Sequence, residues 1–413
     1  MASVATSADR HRVTALGECL ACSGKRLRTF ADLGEQPLAN DYHEGESSLA
    51  HFPLAVNVCL DCFHSQLTHS VDAELLYKNY LYVSGTTRTL LTNFEEFVDQ
   101  AERDQPGRKL RVLDIASNDG TLLSCFAARG HEVLGVDPAE NLRPLSEARG
   151  VPTLVAYWGA ETAASLTERF DVIVAMNVLA HLPYPLEFLV ACKDALAENG
   201  RLYIQTSQSE MIKRREFDTI YHEHQSFFSA RSFVTIAKRA GLRVVEATKV
   251  SVHGTSYRWT LSTGNQTEGP SVREMMSQET DEGLYSWPIY ETFGASVRDT
   301  VDFVHETAKV YRDKGYTVVG YGAAAKGNTL LNAAKLPLEF IVDDNPLKIG
   351  KFAPGGDIPI LSVDALRATT APVCVVVLAW NFFDEIVTRI TELGRQQPDV
   401  FVRYFPERDI CDG

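Results

Sequence analysis

Twice along its length the chain repeats one local pattern: an apolar run, a turn of small residues, an amphipathic stretch and a second apolar run. The first copy is KLRVLDIASNDGTLLSCFAARGHEVLGVDPAENL and the second TVVGYGAAAKGNTLLNAAKLPLEFIVDDN. Each reads as strand, turn, helix, strand, the crossover that parallel strands require. Further strands are expected at FDVIVAMNVLAH, GRLYIQTSQ, VCVVVLAW and DVFVRYFP, with LEFLVACKDALAEN helical between the first two. Two doubly wound sheets follow, and 413 residues are enough for two or three compact units. Ahead of them, a Cys/Pro-punctuated stretch is too small to fold without a staple. The expected organisation is therefore α/β: an N-terminal module over 1–75, a central Rossmann-like domain over 76–245 and a second Rossmann-like domain over 246–413. SYRWTLSTGNQTEGPSVREMMSQETDEGLYSW, polar and glycine-punctuated, is expected to be loop leading into a connecting helical region.

The staple is legible. Cys19-x-x-Cys22 and Cys59-x-x-Cys62 supply two chelating thiolate pairs, which together close a tetrahedral Zn²⁺ site at about 2.3 Å per bond. With the set complete, His64 and His69 have no necessary role, and the other four of the eight cysteines are scattered singly. That distribution favours a metal over disulfides, hence a reducing compartment. No apolar run is long enough to span a bilayer and the N-terminus lacks a signal-peptide pattern, so a cytoplasmic location and no membrane partner are expected. A net charge of -14 opposes binding to a phosphate polymer.

In the first turn the strand ends at Asp114, and the chain passes Ala116, Asn118 and Gly120 into a helix N-terminus where a ligand can approach the backbone. The next strand ends in Asp137, placed to accept hydrogen bonds from ribose hydroxyls, followed by Pro138; Asn177 closes the strand after that. A G-x-G-x-x-G fingerprint is missing from this turn, which turns the cofactor away from NAD and toward S-adenosylmethionine. The sulfonium of that cofactor suits an acidic rim such as Asp114 and Asp119.

These motifs, with DLGEQPLAN, LYKNYLYVSGTT, FDTIYHEHQSFFS, VHGTSYR, VDDNPLKIGKFAPG and LAWNFFDEI in fixed order, make the chain resemble the bacterial deoxysugar C-methyltransferases, which branch nucleotide sugars for antibiotics. The resemblance covers nearly the whole chain. Ala116 stands where the family's turn has Gly, and Thr255 stands in its His-Gly-Gly-Ser-x-Arg string. It implies a zinc-binding N-terminal domain, a central class I methyltransferase domain and a C-terminal α/β domain that helps bind a thymidine-diphosphate-linked 4-keto deoxysugar. A monomer is the expected state.

Methylating carbon requires a carbanion equivalent, so a base must remove the proton α to a ketone while a donor stabilises the enolate; C3 is preferred over C5. Tyr221-His222-Glu223-His224 offers both kinds of group, with His224 the expected base, Tyr221 the donor to the enolate oxygen, and Glu223 a holder of the base or of a sugar hydroxyl or amine. The resemblance leaves His222 structural. His181, at the carboxyl edge of the sheet, is a second candidate base. Tyr77, Tyr80 and Tyr82 are candidates to line the sugar pocket, as are His253 and Arg258.

The second glycine turn carries Tyr321, Lys326 and Asn328 at a helix N-terminus suited to a diphosphate, with Lys348 a further phosphate partner and Trp380 placed to frame a base. Three rival readings follow from the same residues. An NAD-dependent oxidoreductase of nucleotide sugars needs the missing fingerprint, a zinc-ribbon nucleic-acid binder needs the missing basic surface, and a metalloenzyme on His222 and His224 lacks a third ligand.

Overall fold

The computed structural model describes residues 12–45, 49–77, 88–206, 210–250, 256–264 and 267–412. At the N-terminus, Leu27–Pro37, His51–Cys59 and Ser65–Leu67 form an antiparallel meander. Its far edge is completed by Ser226–Phe227, a two-residue strand contributed from the middle of the chain. Val13–Ala15 and His69–Val71 make a separate short ribbon.

The central sheet has seven strands in the order Leu242–Val250, Ser256–Thr263, Leu196–Thr206, Phe170–Met176, Arg111–Ile115, Glu132–Asp137, Thr153–Val155. Ser256–Thr263 runs antiparallel to both neighbours and the rest are parallel. SYRWTLST is thus a buried strand, where its polar composition suggested loop. The polar side chains are tolerated because they are paired: Arg258 with Gln205, and the Trp259 indole N–H with Thr206 Oγ1 at 3.1 Å. By sheet membership the central module runs on to Thr263, past the boundary expected at 245.

The third sheet holds Ile360–Leu361, Phe340–Val342, Thr317–Tyr321, Val373–Val377, Val400–Arg403 and the antiparallel edge Asp409–Asp412. Helix Trp287–Asp313 joins it to the N-terminal sheet, with Tyr290 and Phe293 edge-on to Phe30 at 5.1 and 5.5 Å between ring centroids. The approach is so close that a Cβ on Gly294 would sit 2.1 Å from the Phe30 carbonyl oxygen.

One cluster of buried side chains runs from Val56 and Leu67 of the N-terminal sheet through Phe217 and Phe227 to Leu330 and Val376 of the C-terminal module. Residues 216–227 lie at its middle, wedged between the other two modules.

Candidate active site

The two Cys-x-x-Cys turns are built alike. Ser23 N–H donates to the Cys19 carbonyl and Phe63 N–H to that of Cys59, and both Ser23 and Phe63 are left-handed, with φ of 60° and 56°. Backbone N–H groups of Gly24 and Asp61 point at the sulfurs of Cys22 and Cys59. The four Sγ atoms lie within 4.8 Å of one another, and the Cys19–Cys62 and Cys22–Cys59 pairs are each 3.6 Å apart. A tetrahedral zinc with bonds of about 2.3 Å needs sulfurs roughly 3.8 Å apart. The donor set therefore fits, and zinc is its cofactor. His64 instead packs on Phe228 and meets Ser226 Oγ at 3.2 Å.

At the first glycine turn, Ala116, Asn118 and Gly120 all have positive φ, 61°, 53° and 74°, so the backbone changes direction sharply between Asp114 and the following helix. Asp137 accepts the Asn118 and Ala139 N–H groups, both at 2.8 Å, one on each oxygen. Burial raises its pKa and raises that of Asp114 well above the usual carboxylate range, with the Asp137 charge adding to the second shift. Asn177, at φ 56°, buries a side-chain oxygen that has no hydrogen-bond partner. Two enclosed carboxylates and an orphaned acceptor suit a ligand rich in positive charge and hydroxyl donors, as S-adenosylmethionine is. Pro138 is exposed just beyond Asp137. Asp119 does not form the acidic rim expected of it: it is fully buried, takes the Thr121 hydroxyl at 2.7 Å and pairs with Arg149 at 3.2 Å.

The Tyr221–His224 segment is a turn, closed by the His224 N–H on the Tyr221 carbonyl at 2.9 Å. The turn separates the four side chains. His222 points into the N-terminal sheet, its Nε2 3.2 Å from the Phe52 carbonyl, and burial holds its pKa down at about 4. Tyr221 and His224 come together, the phenol oxygen 2.6 Å from Nε2. His224 Nδ1 is 2.7 Å from the Thr219 carbonyl. A carbonyl only accepts, so Nδ1 carries the hydrogen, and in its neutral form the ring presents Nε2 as an acceptor for the Tyr221 hydroxyl. His181 stands edge-on to the His224 ring at 5.0 Å, and burial lowers its pKa to about 4.

Glu223 is buried, accepts only the Asn40 amide among the described residues, at 2.6 Å, and has its pKa pushed up by burial to about 7. Asn40 belongs to the DLGEQPLAN string, which was noted for its resemblance and not as part of a site. Asp218 was missed as well, though it lies inside FDTIYHEH; it accepts from the Trp380 indole N–H at 2.7 Å and the Tyr404 hydroxyl at 3.2 Å.

Of the residues expected at the sugar, Tyr77 ends a short helix, Ala73–Tyr77, while Tyr80, Tyr82 and His253 lie outside the described residues. Arg258 is in the central sheet, against the Phe97 ring and held by the amides of Asn93, Gln100 and Gln205. At the second glycine turn, the Tyr321 hydroxyl donates to Asp344, Lys348 Nζ donates to the Ala323 carbonyl at 2.6 Å, and Asn328 donates to the Ala39 carbonyl. Lys326 Nζ lies 5.4 Å from the Trp380 ring centroid. The Ala323 N–H, where a diphosphate would be sought, is bonded to Asp343 at 2.7 Å.

A model of the C-methyltransferase C-terminal domain matches residues 251–406, one of a methyltransferase domain matches 82–247, and one of a zinc binding domain matches 19–77. The chain is 31% identical over 389 residues to the C-methyltransferase NovU of Streptomyces niveus, covering 91% of this chain and 92% of that protein. It is 29% identical over 183 residues to a ubiquinone biosynthesis O-methyltransferase of Cereibacter sphaeroides, 41% of this chain and 74% of the other. Among solved structures it is similar to the magnesium protoporphyrin IX methyltransferase of Synechocystis, at a TM-score of 0.34 and 14% identity, over 42% of this chain and 79% of that one.

Proposed function

Because the chain belongs to the family of S-adenosylmethionine-dependent C-methyltransferases with an N-terminal zinc-binding domain, we propose that it methylates a ring carbon flanking the ketone of a nucleotide-linked 4-keto deoxysugar, the nucleotide being thymidine diphosphate. The observation that carries this reading is the pair Tyr221–His224, 2.6 Å apart, with the His224 tautomer fixed by the Thr219 carbonyl. A hydroxyl that can turn its hydrogen to a ketone oxygen and an imidazole nitrogen that can accept a carbon-bound proton are what enolate formation requires.

When the sugar enters, Tyr221 shifts its hydrogen from Nε2 to the ketone oxygen. Nε2 of His224 is then exposed to the adjacent C–H and takes the proton, while Nδ1–H stays on Thr219. His181 remains uncharged at neutral pH, so it does not oppose the positive charge that His224 gains. Asp137 would hold the ribose of the cofactor, and Asp114 with the Asn177 oxygen its cationic end. Bound there, S-adenosylmethionine supplies an electrophilic methyl group. Glu223 and Asn40 supply a paired acceptor and donor for a sugar hydroxyl or amine.

The test is His224→Asn with a thymidine-diphosphate-linked 4-keto-6-deoxyhexose. Normal S-adenosylhomocysteine binding is expected, with deuterium exchange at the carbon next to the ketone and methyl transfer both reduced by ~10²–10⁴-fold. Exchange at the wild-type rate would move the base to His181 or Glu223. Carbon NMR of the wild-type product assigns the methyl group to C3 or to C5.

A further inference from the structure

The C-terminal sheet has a ligand crevice by its topology. Strands Thr317–Tyr321 and Val373–Val377 are neighbours, and the next strands lie on opposite sides of the pair. Open α/β sheets bind ligands beyond the carboxyl ends of such a pair. In this chain the crevice is filled from within. A Cβ on Gly322 would lie 2.5 Å from the Ala379 Cβ, and one on Gly327 would lie 2.8 Å from the Leu378 Cβ, so the small residues serve close packing. The acidic group at it is the chain's own: Asp218, fully buried on the short helical turn Phe217–Thr219 of the central module. One of its oxygens takes the Trp380 indole and Tyr404 hydroxyl hydrogens, and the other is buried with no hydrogen-bond partner. Burial raises its pKa, and the charge of Lys326, at the N-terminal end of helix Ala325–Ala334, works against that rise. The same helix donates the Thr329 hydroxyl to the Ile220 carbonyl at 3.1 Å.

Between these two anchors lies Thr219, whose carbonyl holds His224 Nδ1–H. We propose that Asp218 is a positioning residue: by docking into the crevice of the C-terminal sheet on Trp380 and Tyr404, it fixes the Thr219 carbonyl that sets the tautomer of His224. The crevice is then a socket for the catalytic turn, and Trp380 and Tyr404 serve the base through Asp218. This rests on His224 being the base.

The experiment uses the full-length zinc-loaded protein and the variants Asp218→Asn and Trp380→Phe. Nitrogen NMR of the His224 ring reports the tautomer directly, and calorimetry with S-adenosylhomocysteine reports an intact cofactor site. The expected result is a mixture of His224 tautomers in both variants, with unchanged S-adenosylhomocysteine binding and a kcat lowered ~10–100-fold, the scale of a displaced reacting group. An unchanged tautomer and kcat in Asp218→Asn would overturn the positioning role and leave His224 as base. Should Asp218→Asn lose S-adenosylhomocysteine binding, Trp380→Phe decides by the same two criteria. Wild-type exchange in His224→Asn would instead remove the base reading, whatever the Asp218 variants do.

Discussion

Glu223 is the residue at this site whose cost to the fold can be worked out. It is 6% exposed, and among the described residues its one hydrogen bond comes from Asn40. No Lys, Arg or His is paired with it among the described residues. Burial lifts its pKa from 4.5 to about 7, so the folded protein binds this proton more tightly than the unfolded chain does. A group of this kind adds nothing unfavourable below the unfolded pKa and costs stability progressively as pH rises toward the folded pKa. A rise of this size corresponds to about 3 kcal/mol above pH 7, at roughly 1.4 kcal/mol per pH unit. Glu223→Gln keeps the shape and the acceptor for Asn40 but removes the ionisation. The variant should therefore be more stable than the wild type at pH 8. With about 2 cal/mol/K of unfolding entropy per residue, 413 residues melting as one unit convert 3 kcal/mol into a Tm gain of about 3–4 °C. The gain should shrink to about 1 °C near pH 5, because the folded carboxyl is then protonated and only the ionisation of the unfolded chain still separates wild type from variant. Calorimetric melting of wild type and variant at the two pH values, without substrate, is the assay. Equal Tm values at pH 8, or a less stable variant, would show that Glu223 is comfortably ionised in the fold. Stability held below its optimum at one buried carboxylate is what a substrate-binding role predicts.

Two further outcomes follow from the cofactor sites. Stripping the metal with a thiol-modifying reagent should release one zinc per chain and abolish methyl transfer while leaving S-adenosylhomocysteine binding largely intact, because the strand Ser226–Phe227 pairs with the zinc-bearing sheet whereas Asp114 and Asp137 lie on paired strands of the central sheet; undiminished methyl transfer by the metal-free protein would refute it. Ala116→Gly should raise stability by up to about 1 kcal/mol, since Ala116 is held at φ 61° where a side chain is strained; a lower Tm would mean that the methyl group packs better than the strain costs.

What could be read from the sequence is what local spacing encodes. Four cysteines in two chelating pairs, and carboxylates ending two consecutive strands, announce their sites because the residues concerned are neighbours in sequence or separated by one regular element. The Tyr221–His224 turn, proposed as the catalytic one, was legible only as a list of side chains. Whether His222 and His224 share a face depends on the backbone, and the backbone turns because Phe52, Asn40 and Trp380 pull its side chains in different directions. None of those partners is near it in sequence. SYRWTLST was read as loop for a related reason: its polar groups have no visible partners until Gln205 meets Arg258 and Thr206 meets Trp259. Lys326 and Trp380 were read as free to bind a ligand because the buried Asp218 that takes the Trp380 indole hydrogen is invisible without the fold.

The arrangement also explains why a segment as short as residues 216–227 can hold a defined geometry. It has no core of its own. Its fixed points are Asp218 and the Ile220 carbonyl on the C-terminal module, and His222, Glu223 and the strand Ser226–Phe227 on the N-terminal module. The central sheet supplies His181 from the loop after Phe170–Met176, directly against His224. Removing a proton from carbon tolerates little error in the placement of the base, and a loop tethered at one end would not supply it. Anchors from both sides leave only the small reorientation of the Tyr221 hydroxyl for the substrate to induce. On this view the outer modules are part of the catalytic apparatus even where none of their atoms touches the reacting carbon.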